Sequence, residues 1–236
     1  MELGEILSDA IVYPLHNIKA LVIYLILGII LGIAVGGTIL GLATGAAYDN
    51  ALAALGAGVI GLIVSLILGF FISGYELDIT KYGIEKREDA PGIDFVRQFI
   101  NGVKLFITQI VYMLIPIIIS AILAVIFQNW ISQIIVFIVA LIFSFALMMA
   151  QCRLAKTEDI MDALSFGEAI GDISRVGIVK ILLFTILVFI VMFVLLFIVN
   201  LVTQWNSTVG GILLGIIGVY ITFFTARAVG LLYSDV

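Results

Sequence analysis

Side chains able to do acid–base chemistry are few, and most of them crowd into two stretches, Glu76 to Lys104 and Arg153 to Lys180. Within the second, Glu158, Asp159 and Asp162 are close enough in sequence to share a site. Paired carboxylates can act as acid and base, but such work calls for a histidine, a cysteine pair or a glycine-rich phosphate loop beside them. None accompanies these three, and acidic residues opening a helix are expected from the macrodipole alone. His16 and Cys152 are the single histidine and the single cysteine. The usual zinc constellations and an internal disulfide are therefore excluded. No catalytic residue, metal or cofactor is expected, and the chain reads as non-enzymatic.

Four basic residues are better placed. Lys104, Arg153, Lys180 and Arg227 each stand where a long uncharged run begins or ends. Snorkelling would carry their charged tips to lipid headgroups, which makes them the candidate lipid contacts. All the acidic residues but Asp49 lie on the same side as the basic ones, so that side is net acidic, which opposes a simple polybasic anchor. Signs alternate, as in Glu85-Lys86-Arg87-Glu88-Asp89, the pattern of a solvated face. Membrane lipids, a second copy or another membrane protein are the expected partners; nucleic acid is not.

Glycines form the other pattern. Gly28, Gly32 and Gly36 recur every four residues, and Gly37, Gly41 and Gly45 continue on an adjacent face. Such spacing cuts a groove that lets another helix approach. The expected use is packing within the chain, against Ala54, Gly58 and Gly61, with self-association as the alternative. A seam at these positions predicts that Gly32→Leu disturbs packing more than Ala124→Leu.

The elements that must position these residues follow from composition. Apolar residues are 64% of the chain, charged residues 11%, and the mean hydropathy is +1.32. A soluble domain of this size could not hide so much apolar surface. In hydrocarbon only helices or closed barrels satisfy their backbones, and long runs without alternation choose helices. Residues 20–48 and 51–75 make two spans. Leu105 to Cys152 and Ile181 to Ala226 make two each, divided at Gln128-Asn129-Trp130 and Gln204-Trp205-Asn206. Pro116 should bend the third span.

Amphipathic stretches precede the hairpins. Leu3, Ile6, Leu7 and Ala10 oppose Glu2, Glu5, Ser8 and Asp9, ending at Pro14, which suits the first turn of a new helix. After Pro91-Gly92, the residues Ile93, Val96, Phe99, Ile100, Val103 and Phe106 oppose Asp94, Arg97, Gln98, Asn101 and Lys104. Ser165 and Glu168 have capping-box spacing ahead of Phe166, Ile170, Ile173 and Val176. The expected fold is all-α: a polytopic transmembrane bundle of six spans, as three parallel helical hairpins, each preceded by a cytoplasmic interfacial amphipathic helix. It forms one membrane domain, 1–236, with internal repeats at 1–75, 90–153 and 160–227 about an axis along the membrane normal.

Orientation follows from charge. Six crossings put both termini and both charged connections on one side, which holds every Lys and Arg. The positive-inside rule makes it cytoplasmic, in the cell membrane, with Tyr48, Trp130 and Trp205 at the opposite turns. The N-terminus lacks a basic n-region, so the first span is expected to be retained. No ionisable group interrupts the spans, which argues against a proton-coupled pump. Gln109, Tyr112, Ser120, Ser144, Thr185 and Asn200 are expected to bond between helices; a path for a neutral or lipid-like solute is the alternative reading.

One resemblance emerges from short motifs. Tyr13-Pro14, Gly74-Tyr75, Pro91, then Phe99, Gly102 and Lys104, and finally Arg153 with Ala155, resemble a family of six-span archaeal membrane proteins, common in methanogens. Leu154 stands where an aromatic would be expected. The resemblance covers essentially the whole chain and implies an integral membrane protein of archaeal origin carrying a domain of unknown function. It implies no reaction.

Overall fold

The structure is a computed structural model in which residues 1–47, 51–126 and 130–236 are described. Among them the chain is all helix, with no strand: α1 (Leu3–His16), α2 (Ile18–Ala47), α3 (Ala51–Ile84), α4 (Phe95–Ile126), α5 (Trp130–Thr157), α6 (Ile160–Ala163), α7 (Phe166–Val176), α8 (Ile178–Trp205) and α9 (Ser207–Tyr233). Six of these, α2, α3, α4, α5, α8 and α9, are long and apolar enough to cross a membrane. Tyr48-Asp49-Asn50 and Gln128-Asn129 lie outside the described residues, whereas Trp130 opens α5 and Trp205 closes α8, 70% and 84% exposed.

The spans overrun the bilayer at one end. Helix α3 has 34 residues, about 51 Å at about 1.5 Å per residue, against a hydrocarbon layer of about 30 Å. It continues from Tyr75 through Asp78 and Lys81 to Ile84 without a break. At this end Asp235 pairs with the Met1 amine, Lys86 and Lys180, so both termini and both charged connections meet there.

The three amphipathic stretches are joined to their spans differently. Between α7 and α8, Gly177 holds φ at +97°, a left-handed conformation that favours glycine, and the helix breaks there. Between α1 and α2 the break is at Asn17, whose backbone N–H donates to the Pro14 carbonyl. Pro14 thus lies in the last turn of α1 and does not open a new helix. In the second unit there is no break: α4 carries its charged opening straight into the span, because nothing between Arg97 and Phe106 interrupts helix geometry. The expected separate interfacial helix is there the first turns of α4. Ser165 occupies the N-cap of α7, but its hydroxyl donates to the Met161 carbonyl and makes no cap bond.

Helix α3 packs against α2, α4, α5 and α9, and α9 also carries α1 and α8. The closest approaches use other glycines than the α2 stripe. A Cβ on Gly74 would collide with the Gln98 carbonyl, and one on Gly102 with the Phe70 carbonyl, so α3 and α4 touch backbone to backbone. A Cβ on Gly83 would fall 2.9 Å from the Cα of Gly230, the corresponding contact of α3 with α9. In the α2 stripe, Gly28 meets Val219 of α9 at 3.1 Å, but nothing lies within 4 Å of a Cβ on Gly32. Gly36, Gly41 and Gly45 continue the same helix. The expected partners on α3 do engage α2: Gly61 abuts Thr38, and Gly58 abuts Leu42.

Candidate functional site

Three charged knots hold the overrunning helix ends together. In the first, Arg227 of α9 is 1% exposed, and its Nε and Nη2 donate to the Asp9 carboxylate of α1 at 2.7 and 3.1 Å. Its Nη1 donates to the carbonyls of Tyr82 and Arg87. The guanidinium also lies 4.8 Å from the centre of the Tyr13 ring. Burial pushes the Tyr13 hydroxyl above its ordinary pKa, keeping it a neutral donor to the Asp89 carbonyl.

The second knot joins α5 to α7. Asp172 is fully buried and takes Arg153 Nη1 at 3.2 Å, Arg175 Nη1 at 2.6 Å and the Tyr233 hydroxyl at 2.6 Å. Arg153 Nε donates as well to the Asp162 carbonyl. The third knot joins α3 to the opening of α4 with the signs exchanged. Asp78, 3% exposed, is gripped by both Nη atoms of Arg97 at 2.8 and 2.9 Å and by the Gln98 amide at 2.9 Å. Gln98 in turn accepts from the Tyr24 hydroxyl of α2.

Each knot ties the end of a returning span to the amphipathic stretch of the following unit, and the last closes on the first: α3 to α4, α5 to α7, α9 to α1. A local sequence signal accompanies this. Gly4-Glu5 with Asp9 in α1 repeats as Gly167-Glu168 with Asp172 in α7, and both aspartates take an arginine from the end of a returning span, Arg227 of α9 and Arg153 of α5. The acidic residues of these stretches read from the sequence as a solvated face; two of them, Asp9 and Asp172, in fact bind the buried or half-buried arginines. The shared Gly-Glu-x-x-x-Asp spacing was the signal that could have shown it.

The sequence-selected basic residues all lie at this end, and all have protein partners. Arg227 and Arg153 are in the knots. Lys104 Nζ donates to the Glu158 carbonyl at 2.7 Å, and Lys180 stands 3.8 Å from Asp235. Of the acidic trio, Glu158 pairs with Lys81 at 3.0 Å and Arg97 at 3.4 Å. The Lys81 hydrogen bond, with smaller help from Arg97 and Asn101, holds the Glu158 carboxyl below its ordinary pKa. Asp159 caps α6 through the Met161 N–H, and Asp162 stands 3.8 Å from Arg153. The three carboxylates therefore serve separate structural contacts and do not converge. Among the described residues no group of histidine, cysteine and carboxylate side chains is arranged to hold a metal. Cys152 is buried, its thiol 3.8 Å from the Val229 carbonyl.

The residues that carried the family resemblance meet in this region. Tyr75 stacks on Tyr24 with ring centres 4.0 Å apart and donates to the Pro91 carbonyl, while Gly74 and Gly102 make the α3–α4 contact. No curated protein and no solved structure matches the chain. A family model described as a protein of unknown function, DUF4013, matches residues 58–204, from α3 to the end of α8. That match takes in more than half of the chain and most of the second and third knots, and this six-span, all-helical integral membrane protein belongs to the DUF4013 family.

Proposed function

We propose that the protein is a non-enzymatic scaffold or complex subunit of the cell membrane, with both termini and the charged connections in the cytoplasm. The observation that carries this reading is the state of the buried carboxylates. Asp78 and Asp172 are each held by at least three donors, and these bonds tie one hairpin to the next. A carboxylate that shuttles protons or substrate has to exchange partners in turnover; breaking one partner from a buried pair costs about 3–5 kcal/mol. Such groups are suited to holding a platform rigid. The recurrence of the knots supports treating 1–75, 90–153 and 160–227 as three repeats. Membrane lipids and a second copy or another membrane protein are the partners this platform would meet.

One observation favours the alternative, passage of a neutral or lipid-like solute. Beside Pro116, a cavity of about 100 Å³ between α4 and α5 is bordered by Tyr112 and Ser144. Solute flux separates the two readings. Proteoliposomes should swell in glycerol or urea no faster than protein-free vesicles, and faster swelling would favour passage. Orientation is tested by Met161→Cys, since Met161 is 69% exposed and Cys152 is buried. A membrane-impermeant maleimide should label the variant in inverted vesicles and not in intact cells; the opposite pattern rejects the assignment of sides.

A further inference from the structure

Two residues before each knot residue of a returning span stands a polar side chain: Glu76 before Asp78, Gln151 before Arg153 and Thr225 before Arg227. Two residues turn a helix by about 200°. The knots look out to the amphipathic stretches, so these three look the other way, toward the neighbouring returning spans. All three pairs among α3, α5 and α9 are in contact. On α3, Gly83 meets Gly230 of α9 and stands on the Glu76 stripe, about two turns along. On α5, Ala155, one turn beyond Gln151, packs with Leu77 of α3. On α9, Val229, one turn beyond Thr225, offers its carbonyl to Cys152 of α5. Each of the three thus faces another returning span, in a closed cycle. The register agrees: Gly230 lies against Thr80 and Gly83, and Glu158 pairs with Lys81. That places Glu76, Gln151 and Thr225 within about one turn of one another along the bundle.

These positions keep room for a guest. Each is half-buried, although the residues on either side are buried: Tyr75 and Leu77, Ala150 and Cys152, Phe224 and Ala226. The Thr225 hydroxyl gives its proton to the Ile221 and Thr222 carbonyls, which leaves its oxygen lone pairs to accept. The Glu76 carboxylate and the Gln151 amide make no hydrogen bond or ion pair with the described residues. Among those residues no fully enclosed side-chain nitrogen or oxygen lacks a partner, so these polar atoms border open space. Glu76 thereby differs from Asp78 and Asp172, which three donors each hold. An ionisable group inside a membrane helix without a partner is costly to keep.

We propose that Glu76, Gln151 and Thr225, one from each repeat, bind a single alkali-metal cation at the centre of the charged end. A carboxylate, an amide carbonyl and a hydroxyl are hard oxygen donors, which suit hard cations and not the softer transition metals. Their one negative charge balances one positive charge, whereas a divalent ion would leave a charge buried without compensation. The cation would fasten the three returning spans to one another on the inside, as the knots fasten them to the amphipathic stretches on the outside. The site rests on the three-repeat reading above but not on the scaffold role, because cation binding and solute flux are measured separately.

The test uses the full-length protein in detergent at about pH 8, well above the ordinary carboxyl range. It is melted in rising sodium or potassium chloride, with choline chloride of equal ionic strength as the control. A ligand of the folded state raises the melting temperature as its concentration passes the dissociation constant. One or both alkali cations should do so saturably, and choline should not. Glu76→Gln, which keeps the shape and removes the charge, should abolish the rise. Glu88→Gln, at an exposed carboxylate elsewhere, should leave it intact. Gln151→Leu and Thr225→Val should each raise the half-saturating concentration about tenfold, and they decide the matter if Glu76→Gln does not fold. An equal rise in choline chloride, a rise that survives Glu76→Gln, unchanged midpoints in both Gln151→Leu and Thr225→Val, or a tighter response to calcium would each overturn the proposal.

Discussion

The two ends of the bundle are built on different principles. At the charged end, Met149, Ile181 and Phe224 are fully buried, amphipathic helices cover the core, and ion pairs cross from unit to unit. At the opposite end, Leu52, Val125 and Trp205 are 82–85% exposed, and α8 leans chiefly on α9. The contrast follows from the solvent. Between lipid-facing helices there is no hydrophobic force, since lipid tails are as apolar as leucine, and cohesion has to come from close packing and polar contacts. Where the helices leave hydrocarbon, burial against water becomes favourable again. The bundle is thus clasped by charge at one end, while at the other Leu52, Val125 and Trp205 face outward.

Breaking the clasp should have the largest effect. Arg227→Met leaves Asp9 and two carbonyls without their donor. It should cost about 3–5 kcal/mol, read as denaturant unfolding in detergent, with Asp9→Leu in the same chain recovering much of the loss. Failure of the double variant to recover would mean that the knot matters through packing and not through charge.

Backbone contact comes next. Gly102→Ala places a Cβ against the Phe70 carbonyl, and α3 and α4 must part. The expected cost is about 1–3 kcal/mol, seen as faster maleimide labelling of Cys152 in the neighbouring core. Gly32→Ala, with open space around its Cβ, should change the labelling rate little.

A smaller effect concerns pH. The Glu158 carboxyl is held below its ordinary value by Lys81, so its folded pKa lies below its unfolded one of about 4.3. Its contribution is complete above that unfolded value and is lost as pH falls through the folded one. Proteolytic cutting between α5 and α7 should therefore increase on acidification below about pH 4.3. Lys81→Met should reduce the difference, leaving the smaller part owed to Arg97 and Asn101. Because Glu158 is partly exposed, solvent screening keeps this effect modest. Smallest of all, Phe193→Ala on the outward face of mid-α8, 70% exposed, should shift stability by no more than about 0.5 kcal/mol.

These regions were unequally legible in the sequence. The spans and the shared side of the charges are local properties of runs of about 20 residues, and hydropathy reads them directly. The clasp is not local: Asp9 and Arg227 are 218 residues apart, and a charged residue on an amphipathic face looks the same whether it meets water or a buried guanidinium. The glycine stripe of α2 shows a smooth face but not what covers it; the decisive pairs, Gly74 with Gln98 and Gly102 with Phe70, carry no stripe. The continuity of α4 was hidden because amphipathicity marks a change of environment along a helix, and such a change does not require a break in the backbone.

The closure of α9 onto α1 bears on how the chain is made. Asp9 leaves the ribosome 218 residues before the arginine that neutralises it. Until then the first amphipathic helix must wait on the membrane surface with its carboxylate hydrated, while five crossings are threaded beside it. The final crossing acts as a keystone: a nascent chain stalled before Arg227 would hold all of its earlier hairpins yet remain an open arc, exposed to whatever quality control surveys unfinished membrane proteins.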